Sequence, residues 1–505
     1  MNNNLIDQEK GITQHIESSN SSSVENVEKT STNYIDDEEE PEISEEHKQY
    51  LIKKHGTYNL IPLPTMDDNN PLNWSNYQKI LQLSMVSFHA FMATFMASGV
   101  VPAFGELSVL LGHSTHQISY LTSCQIILIG SFPMVWTPVM NRYGKRLLLI
   151  ISVFGSMCFS IGCVFCKDYE SLIALRCISA IFISPGLAVG GAIVSETTFS
   201  HQRGSRSGVW SIMVNLGTMF GPLLMGFVAQ FVEPKYIFVV FAAINFVQMI
   251  AYIFLGKETS YNLKDKSRNI INPYKQIFRK NAIYPENKIS IWIILNPFKY
   301  LKYWKIFIPT FGYTILFMHG NIALNVQIPQ VMYTKYGLGP MALGLQFIGF
   351  IIGTIIGEIG GYLSDKLLIW GKKNGKGSSF RLWLTYPGYI FCIVGLIVFG
   401  VVIDQTNTYH VKTVVGLAIS AFGLQVSTSP IIAYCIDQNS KDASSIVLFI
   451  TFIRQLFAFI GPFYYPIMFS NIGFTKSYSI MAALVGAFGL IPTLILQFYE
   501  SRRGR

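Results

Sequence analysis

The sequence predicts an all-α polytopic membrane protein, with twelve transmembrane helices in two pseudo-symmetric six-helix bundles. Three observations lead there. Half of the 505 residues are hydrophobic and only 13% are charged, where a soluble domain carries about 25%. Twelve runs reach the roughly 20 mostly apolar residues that a membrane helix needs. The basic residues cluster in alternate loops between those runs, as the positive-inside rule requires. A β-barrel is excluded, because its strands alternate over about 10 residues and do not stay apolar for 20.

The elements follow in order. Residues 1–78 hold 15 acidic and 5 basic residues and include "SSNSSSVENVEKTSTN" and "DDEEEPEISEE". Low hydrophobicity and clustered charge predict a disordered acidic leader, either a solvated tail or a regulatory one. The first bundle, 79–256, has spans at 79–102, 116–139, 147–166, 170–195, 206–231 and 236–256. A basic linker follows at 257–303. The second bundle, 304–498, has spans at 304–330, 341–363, 382–403, 411–436, 443–468 and 476–498, and residues 499–505 form a short tail. With the N-terminus placed in the cytoplasm, inner loops and span edges carry 25 Lys plus Arg and the outer ones carry 5. Both termini and the linker are therefore expected in the cytoplasm. The rest of the chain is basic, but its cations lie in short loops between apolar runs, which favours membrane orientation over nucleic-acid binding. The seven cysteines have no metal-ligand spacing and read as small buried hydrophobes.

The two halves repeat. "NLGTMFGPLLMG" in the fifth span matches "QLFAFIGPFYYP" in the eleventh, so Gly221-Pro222 pairs with Gly461-Pro462 and Asn215 aligns with Gln455. "TPVMNRYGKR" after the second span has a partner in "GYLSDKLLIWGKK" after the eighth. Glu196 has a counterpart in Asp437. Secondary transporters are often built this way, with a site between repeats at the midplane. No nucleotide-binding loop, metal spacing or hydrolytic triad context occurs, so neither an enzyme nor a directly ATP-driven pump is indicated.

These motifs resemble those of the major facilitator superfamily, and within it the fungal twelve-spanner drug:proton antiporter branch, near its HOL-type organic-cation members. "NPLNWS" at 70–75 is similar to that branch's entry signature. Arg142, Gly144, Lys145 and Arg146 fit the loop 2–3 motif, with Asn141 in place of the usual Asp and Thr137 in place of Gly. In the second copy Gly361 and Asp365 fit. Arg176 matches the fourth-helix arginine motif, with Ala180 where Gly is usual. Gly217, Gly221, Pro222 and Gly226 fit the antiporter motif of the fifth helix, and "KETSY" after the sixth also fits.

The resemblance implies gating roles for Arg142, Gly144, Lys145, Arg146, Glu196, Asp365 and Asp437. Arg142 is expected to bridge Glu196 when the inner gate is closed, and Asp365 with Lys366 to lie near Asp437. The cations also snorkel to the inner surface and hold topology. Gly217, Gly221, Pro222, Gly226, Gly461 and Pro462 are expected to shape helix packing.

Ionisable groups at membrane depth are expensive and therefore informative. They are His89, Arg176, His319, Glu358 and Arg454. Glu358 could carry a proton, neutralise a cationic substrate, or pair structurally with Arg454. Arg176 carries the proton-coupling role by resemblance. The histidines are candidates both for packing and for the site. Amides Gln125, Asn321, Asn325, Gln346, Gln425 and Gln455, with Tyr434, are candidate cavity residues.

The expected activity is secondary active transport of small organic solutes, namely drugs, organic cations or polyamines, by alternating access. The proton gradient supplies the energy and no cofactor is needed. The expected partners are the lipid bilayer, a small-molecule substrate and protons, without nucleic acid, for a monomer in the plasma membrane or, alternatively, the vacuolar membrane. The rival readings are a nutrient uptake carrier for a sugar, amino acid or vitamin, and a non-transporting membrane sensor.

Overall fold

The structure, a computed structural model, describes residues 43–262, 265, 269, 282–373, 377–439 and 442–503. Among the described residues every regular element is helical. Twelve helices are long and apolar enough to cross a membrane. In the first half they are α1 (Asn76–Leu111), α2 (Thr115–Tyr143), α3 (Arg146–Val164), α4 (Tyr169–Thr197), α5 (Arg206–Phe231) and α6 (Tyr236–Phe254). In the second half they are α7 (Trp304–Tyr336), α8 (Pro340–Gly371), α9 (Ser378–Gln405), α10 (Lys412–Gln438), α11 (Ala443–Ile472) and α12 (Phe474–Arg502). An even number of crossings returns α12 to the face where α1 begins, here termed the terminal face.

Burial of the apolar windows follows a period of three helices. It is 72, 61, 83 and 67% in α1, α4, α7 and α10, against 39, 39, 50 and 33% in α3, α6, α9 and α12. The first set forms the centre and the second presents its greasy sides outward, as a bilayer-facing helix must. Val247 and Phe246 of α6 and Ile495 and Phe498 of α12 are among the exposed side chains.

Several spans are broken. α1 stops at Ser98 and resumes at Phe104 after a short turn through Pro102. α2 restarts at Pro133 and α4 resumes at Gly186 after Pro185; proline supplies no donor and enters helices at first turns. α7 widens into a π-turn at Met318–Ile322. α8 breaks at Glu358, between Phe347–Gly357 and Ile359–Lys373.

The leader expected to be disordered is corrected within its described part. Residues 1–42 lie outside the described set. Glu45–His55 is a helix, because Ser44 caps it, Glu45 and Glu46 occupy its first turn, and Lys53, Lys54 and His55 its last. Such charges complement the helix dipole. Closer to α1 the chain is held by amides: Asn73 Nδ2 donates to the Thr65 and Asp67 carbonyls (2.6 and 2.8 Å). Asn70 caps the turn at Pro71–Asn73. That is the structural work of "NPLNWS".

Candidate substrate cavity and its gates

A small cavity of about 30 Å³ lies between the halves. Thr94 and Ser98 of α1, Thr122 of α2 and Thr218 of α5 face Asn325 of α7 and Gln455 of α11, with Phe317, Ile322, Ile126 and Ile129 as apolar wall. Helix breaks bring the polar groups together: Ser98 ends the first segment of α1, and Asn325 follows the π-turn of α7. Such π-turns often mark functional positions. The carbonyl oxygens of Asn325 and Gln455 are buried and accept no hydrogen bond among the described residues. They are free to accept from a ligand N–H or O–H. Gln455 presses against Gly130, where a Cβ would come within 2.4 Å of it.

Of the twelve candidate proton, substrate or cavity residues, Asn325 and Gln455 are the two that line this cavity. Arg454 lies behind its wall. The guanidinium stacks on Phe317 (4.6 Å to the ring centre) and Nη1 donates to the Tyr313 hydroxyl (3.0 Å). Arg176 and Gln125 find each other instead. Arg176 Nη2 donates to Gln125 Oε1 (2.6 Å), and Gln125 Nε2 returns a bond to the Arg176 carbonyl (3.1 Å). Arg176 also reaches the Met96 and Leu121 carbonyls and lies over Phe238. It clasps α1, α2, α4 and α6 within the first half.

The two histidines are bound by tyrosines. Tyr252 donates to the Met85 carbonyl, so its oxygen takes the His89 Nδ1 hydrogen (3.2 Å). Tyr465 donates to the Met318 carbonyl, so it takes that of His319 (3.3 Å). Gln346 is engaged by Tyr409, and Tyr434 donates to Glu500 (2.8 Å), both away from the cavity.

Glu358 stands at the break in α8, half-buried. The pairing with Arg454 is not formed. Its Oε2 accepts from Gln425 Nε2 of α10 (2.5 Å). Gln425 Oε1 in turn accepts from Asn215 Nδ2 of α5 (2.8 Å). The α5 backbone is bare beside it, since a Cβ on Gly208 would stand 3.9 Å from Glu358 Oε1. The carboxylate thus lies where the halves meet, bonded to the Gln425 amide.

The cluster at the terminal face differs from expectation in its pairing. Lys145, 3% exposed, forms the ion pair with Glu196. Arg142 precedes the Gly144 turn and points the other way. It donates to the Asn287 carbonyl of the linker (2.9 Å) and lies over Tyr143. The reason is the turn itself: Gly144 takes φ +99, which directs the next side chain inward toward α4. Glu258, directly after α6, accepts from the Lys145 and Arg146 backbone N–H groups (2.9 and 3.0 Å). A Cβ on Gly144 would lie 2.7 Å from Glu258. Arg146 donates to the Tyr252 and Ile253 carbonyls at the end of α6. Thr259 completes the cluster by donating to Glu196 (2.7 Å).

In the second half Asp437 pairs with Arg381 (3.0 Å), which also donates to Ser364. Lys366 lies over Tyr362. Asp365 is on α8, but its side chain lies outside the described residues. Both bridges stay within one half: Lys145 fastens the α2–α3 turn to the end of α4, and Arg381 fastens the start of α9 to the end of α10. Glu258 was read only as part of "KETSY", without its role, although an acid immediately after α6 on the side of a cationic turn was a usable signal, and Arg381 was missed.

The helix-packing residues make close contacts. A Cβ on Gly217 would meet Thr94 Oγ1 at 2.2 Å and the Phe91 carbonyl at 2.3 Å. One on Gly221 would meet the Phe95 carbonyl at 2.6 Å. These glycines seat α5 on α1. Gly226 meets Gly344, whose own Cβ would lie 2.7 Å from the Pro222 carbonyl, so α5 and α8 touch backbone to backbone away from the terminal face. Gly461 leaves room for the Tyr465 ring, and the Pro462 carbonyl accepts from His116 Nε2 of α2 (3.3 Å).

The profile of the Major Facilitator Superfamily matches residues 86–462. The chain is 24% identical over 465 residues to the efflux pump radE of Floropilus chiversii, covering 86% of this chain and 83% of that one. It is 24% identical over 458 residues to the MFS transporter cpaT of Aspergillus oryzae, covering 87% and 90%. Among solved structures it is similar to the xylose transporter XylE from E. coli in a partially occluded inward-open conformation (TM-score 0.60, 14% identity, 84% of this chain and 98% of that one). It is also similar to a bacterial homologue of the lysosomal transporter Spinster, inward-facing and unoccupied (TM-score 0.59, 13% identity, 86% and 99%). The profile, the twelve helices and the cavity between two halves agree: the chain belongs to the Major Facilitator Superfamily and is a multi-pass membrane transporter.

Proposed function

We propose that the protein exports small organic solutes that carry N–H donors, namely drugs, organic cations or polyamines, in exchange for protons. The carrying observation is the pair of buried carbonyl oxygens, Asn325 Oδ1 and Gln455 Oε1, that line the cavity without a hydrogen-bond donor among the described residues. Leaving them unmatched is costly, and an amine or ammonium would satisfy both. Glu358 supplies a proton site between the halves, since a carboxylate at membrane depth needs a proton, a cation or strong donors. The relatives described as efflux pumps support the direction of export. On this reading the terminal face is cytoplasmic, as the loop cations favour, and the protein works as a monomer in the plasma membrane.

A second reading has its own observation. Arg454, behind Phe317, has no carboxylate partner among the described residues. An anionic nutrient would be attracted to it.

The test is purified protein in liposomes with an imposed pH gradient, screened against organic cations, polyamines, sugars and organic anions. Glu358→Gln is expected to abolish gradient-driven accumulation of a cationic substrate while exchange at equal pH persists. Unchanged accumulation in Glu358→Gln would remove the proton role, and transport of anions alone would transfer the case to the second reading.

A further inference from the structure

The bonds around Glu358 have a direction. Asn215 of α5 donates to Gln425 of α10, and Gln425 donates to Glu358 of α8. An ionised carboxylate can only accept, whereas an amide offers one donating and one accepting end. The carboxylate therefore turns the Gln425 NH2 toward itself, and this leaves the Gln425 carbonyl as the acceptor for Asn215. Asn215 belongs to the first half; Gln425 and Glu358 belong to the second.

We propose that Asn215 and Gln425 are positioning residues that tie the charge on Glu358 to the contact between the halves. The ionised carboxylate holds the bridge, and a proton on it releases the bridge. This rests on Glu358 being the proton site.

A protonated carboxyl acquires a donor. If Gln425 rotates to accept that hydrogen, its NH2 swings onto the NH2 of Asn215, which must rotate in turn to offer its carbonyl, and the re-formed bridge has no charged acceptor. If Gln425 stays, the new O–H has no acceptor in the bridge, and the remaining bond loses its charge assistance. Both outcomes weaken the link from α5 to α8.

The surroundings leave this as the dominant local interaction. On α5, Gly208 presents bare backbone, Met219 meets Thr354 (3.2 Å), and Arg206 acts on Lys79 of α1. On α10, Asp437 is held by Arg381. On α8, Lys366 lies over Tyr362. Among the described residues none of these forms an ion pair with Glu358.

The experiment needs no substrate. Spin labels are placed at Val209 of α5 and Ile369 of α8, both exposed, in the full chain with its other cysteines replaced. Distances between them are measured by pulsed dipolar spectroscopy in nanodiscs at alkaline and acidic pH. In the parent, acid is expected to raise the population of the longer distance by about tenfold, the worth of one charge-assisted hydrogen bond. Asn215→Ala and Gln425→Met should each hold the longer distance at every pH, as should Glu358→Gln. Gln425→Met cuts both bonds at similar volume and serves if Asn215→Ala fails to fold. A pH response retained in Glu358→Gln would overturn the proton-site reading. A pH response lost in Glu358→Gln but retained in Asn215→Ala or Gln425→Met would overturn the amide bridge alone, and a parent without any response would overturn both.

Discussion

At the scale of single residues, the α2–α3 turn shows how one backbone angle reassigns chemistry. Arg142 and Lys145 are both cations in the same short stretch, yet only Lys145 meets Glu196. Gly144 between them takes φ +99, a conformation costly for side-chain-bearing residues. Lys145 is almost fully buried while Arg142 binds the linker near the surface. Breaking a buried, hydrogen-bonded charge pair costs more than breaking an exposed one. Lys145→Met is therefore expected to destabilise the protein by about 2 kcal/mol, and Arg142→Met by less than about 0.5 kcal/mol. Melting in detergent measures both, and a double-mutant cycle with Glu196→Gln should show coupling for Lys145 only. Equal losses for the two cations would contradict the assignment. Residue types were legible here: the cations, Glu196 and Asp437 were all identifiable, as were Arg176 and Gln125 as polar groups at depth. Partners were not. Glu358 and Gln425 are 67 positions apart, and no local pattern joins them.

At the scale of elements, the apolar runs were read well because length and hydrophobicity alone define a span. Their interruptions were only half legible. Pro133 and Pro185 announce breaks in α2 and α4. The π-turn at Met318–Ile322 has no proline, and its weak helix formers Gly320 and Asn321 do not by themselves specify a π-turn. What marks it is the Tyr465 hydroxyl, which takes the Met318 carbonyl (3.0 Å) from 147 positions away. The glycine motif is more transparent, since small residues let helices approach in a membrane. Space distinguishes the glycines sharply. Gly217 faces the backbone of α1, which cannot yield, whereas a Cβ on Gly191 meets nothing within 4 Å. Gly217→Ala is expected to cost about 1–3 kcal/mol by overpacking. Gly191→Ala should be neutral or slightly stabilising, by up to about 1 kcal/mol. Thermal melts of the two proteins in parallel decide it, and equal melting temperatures would show that the α1–α5 seam is looser than its geometry.

At the scale of the whole molecule, the halves meet differently at the two faces. Away from the terminal face, α5 and α8 are in backbone contact through Gly226 and Gly344. Tyr333 of α7 closes on Gly105 of α1, where a Cβ would lie 2.7 Å from its ring. At the terminal face the linker touches both halves. Ile283 and Tyr284 donate to the Arg142 carbonyl, and Tyr300 donates to Asp442 before α11 (2.7 Å). One face is thus shut by helix packing and the other is spanned by a tether. On the expected alternating-access mechanism the cavity opens to one side at a time, and a change that favours one state shifts the equilibrium by its differential interaction with the two. Gly344→Leu places a branched side chain against the Pro222 and Leu223 carbonyls, so α5 and α8 must part. Asn325→Cys, in a chain whose seven native cysteines are replaced, reports on the cavity. On the proposed topology a membrane-impermeant maleimide added to intact cells should label it at least about tenfold faster with Gly344→Leu, if the wedge costs the closed contact about 1.4 kcal/mol or more. Equal labelling in the two chains would show that the glycine contact does not hold that face shut.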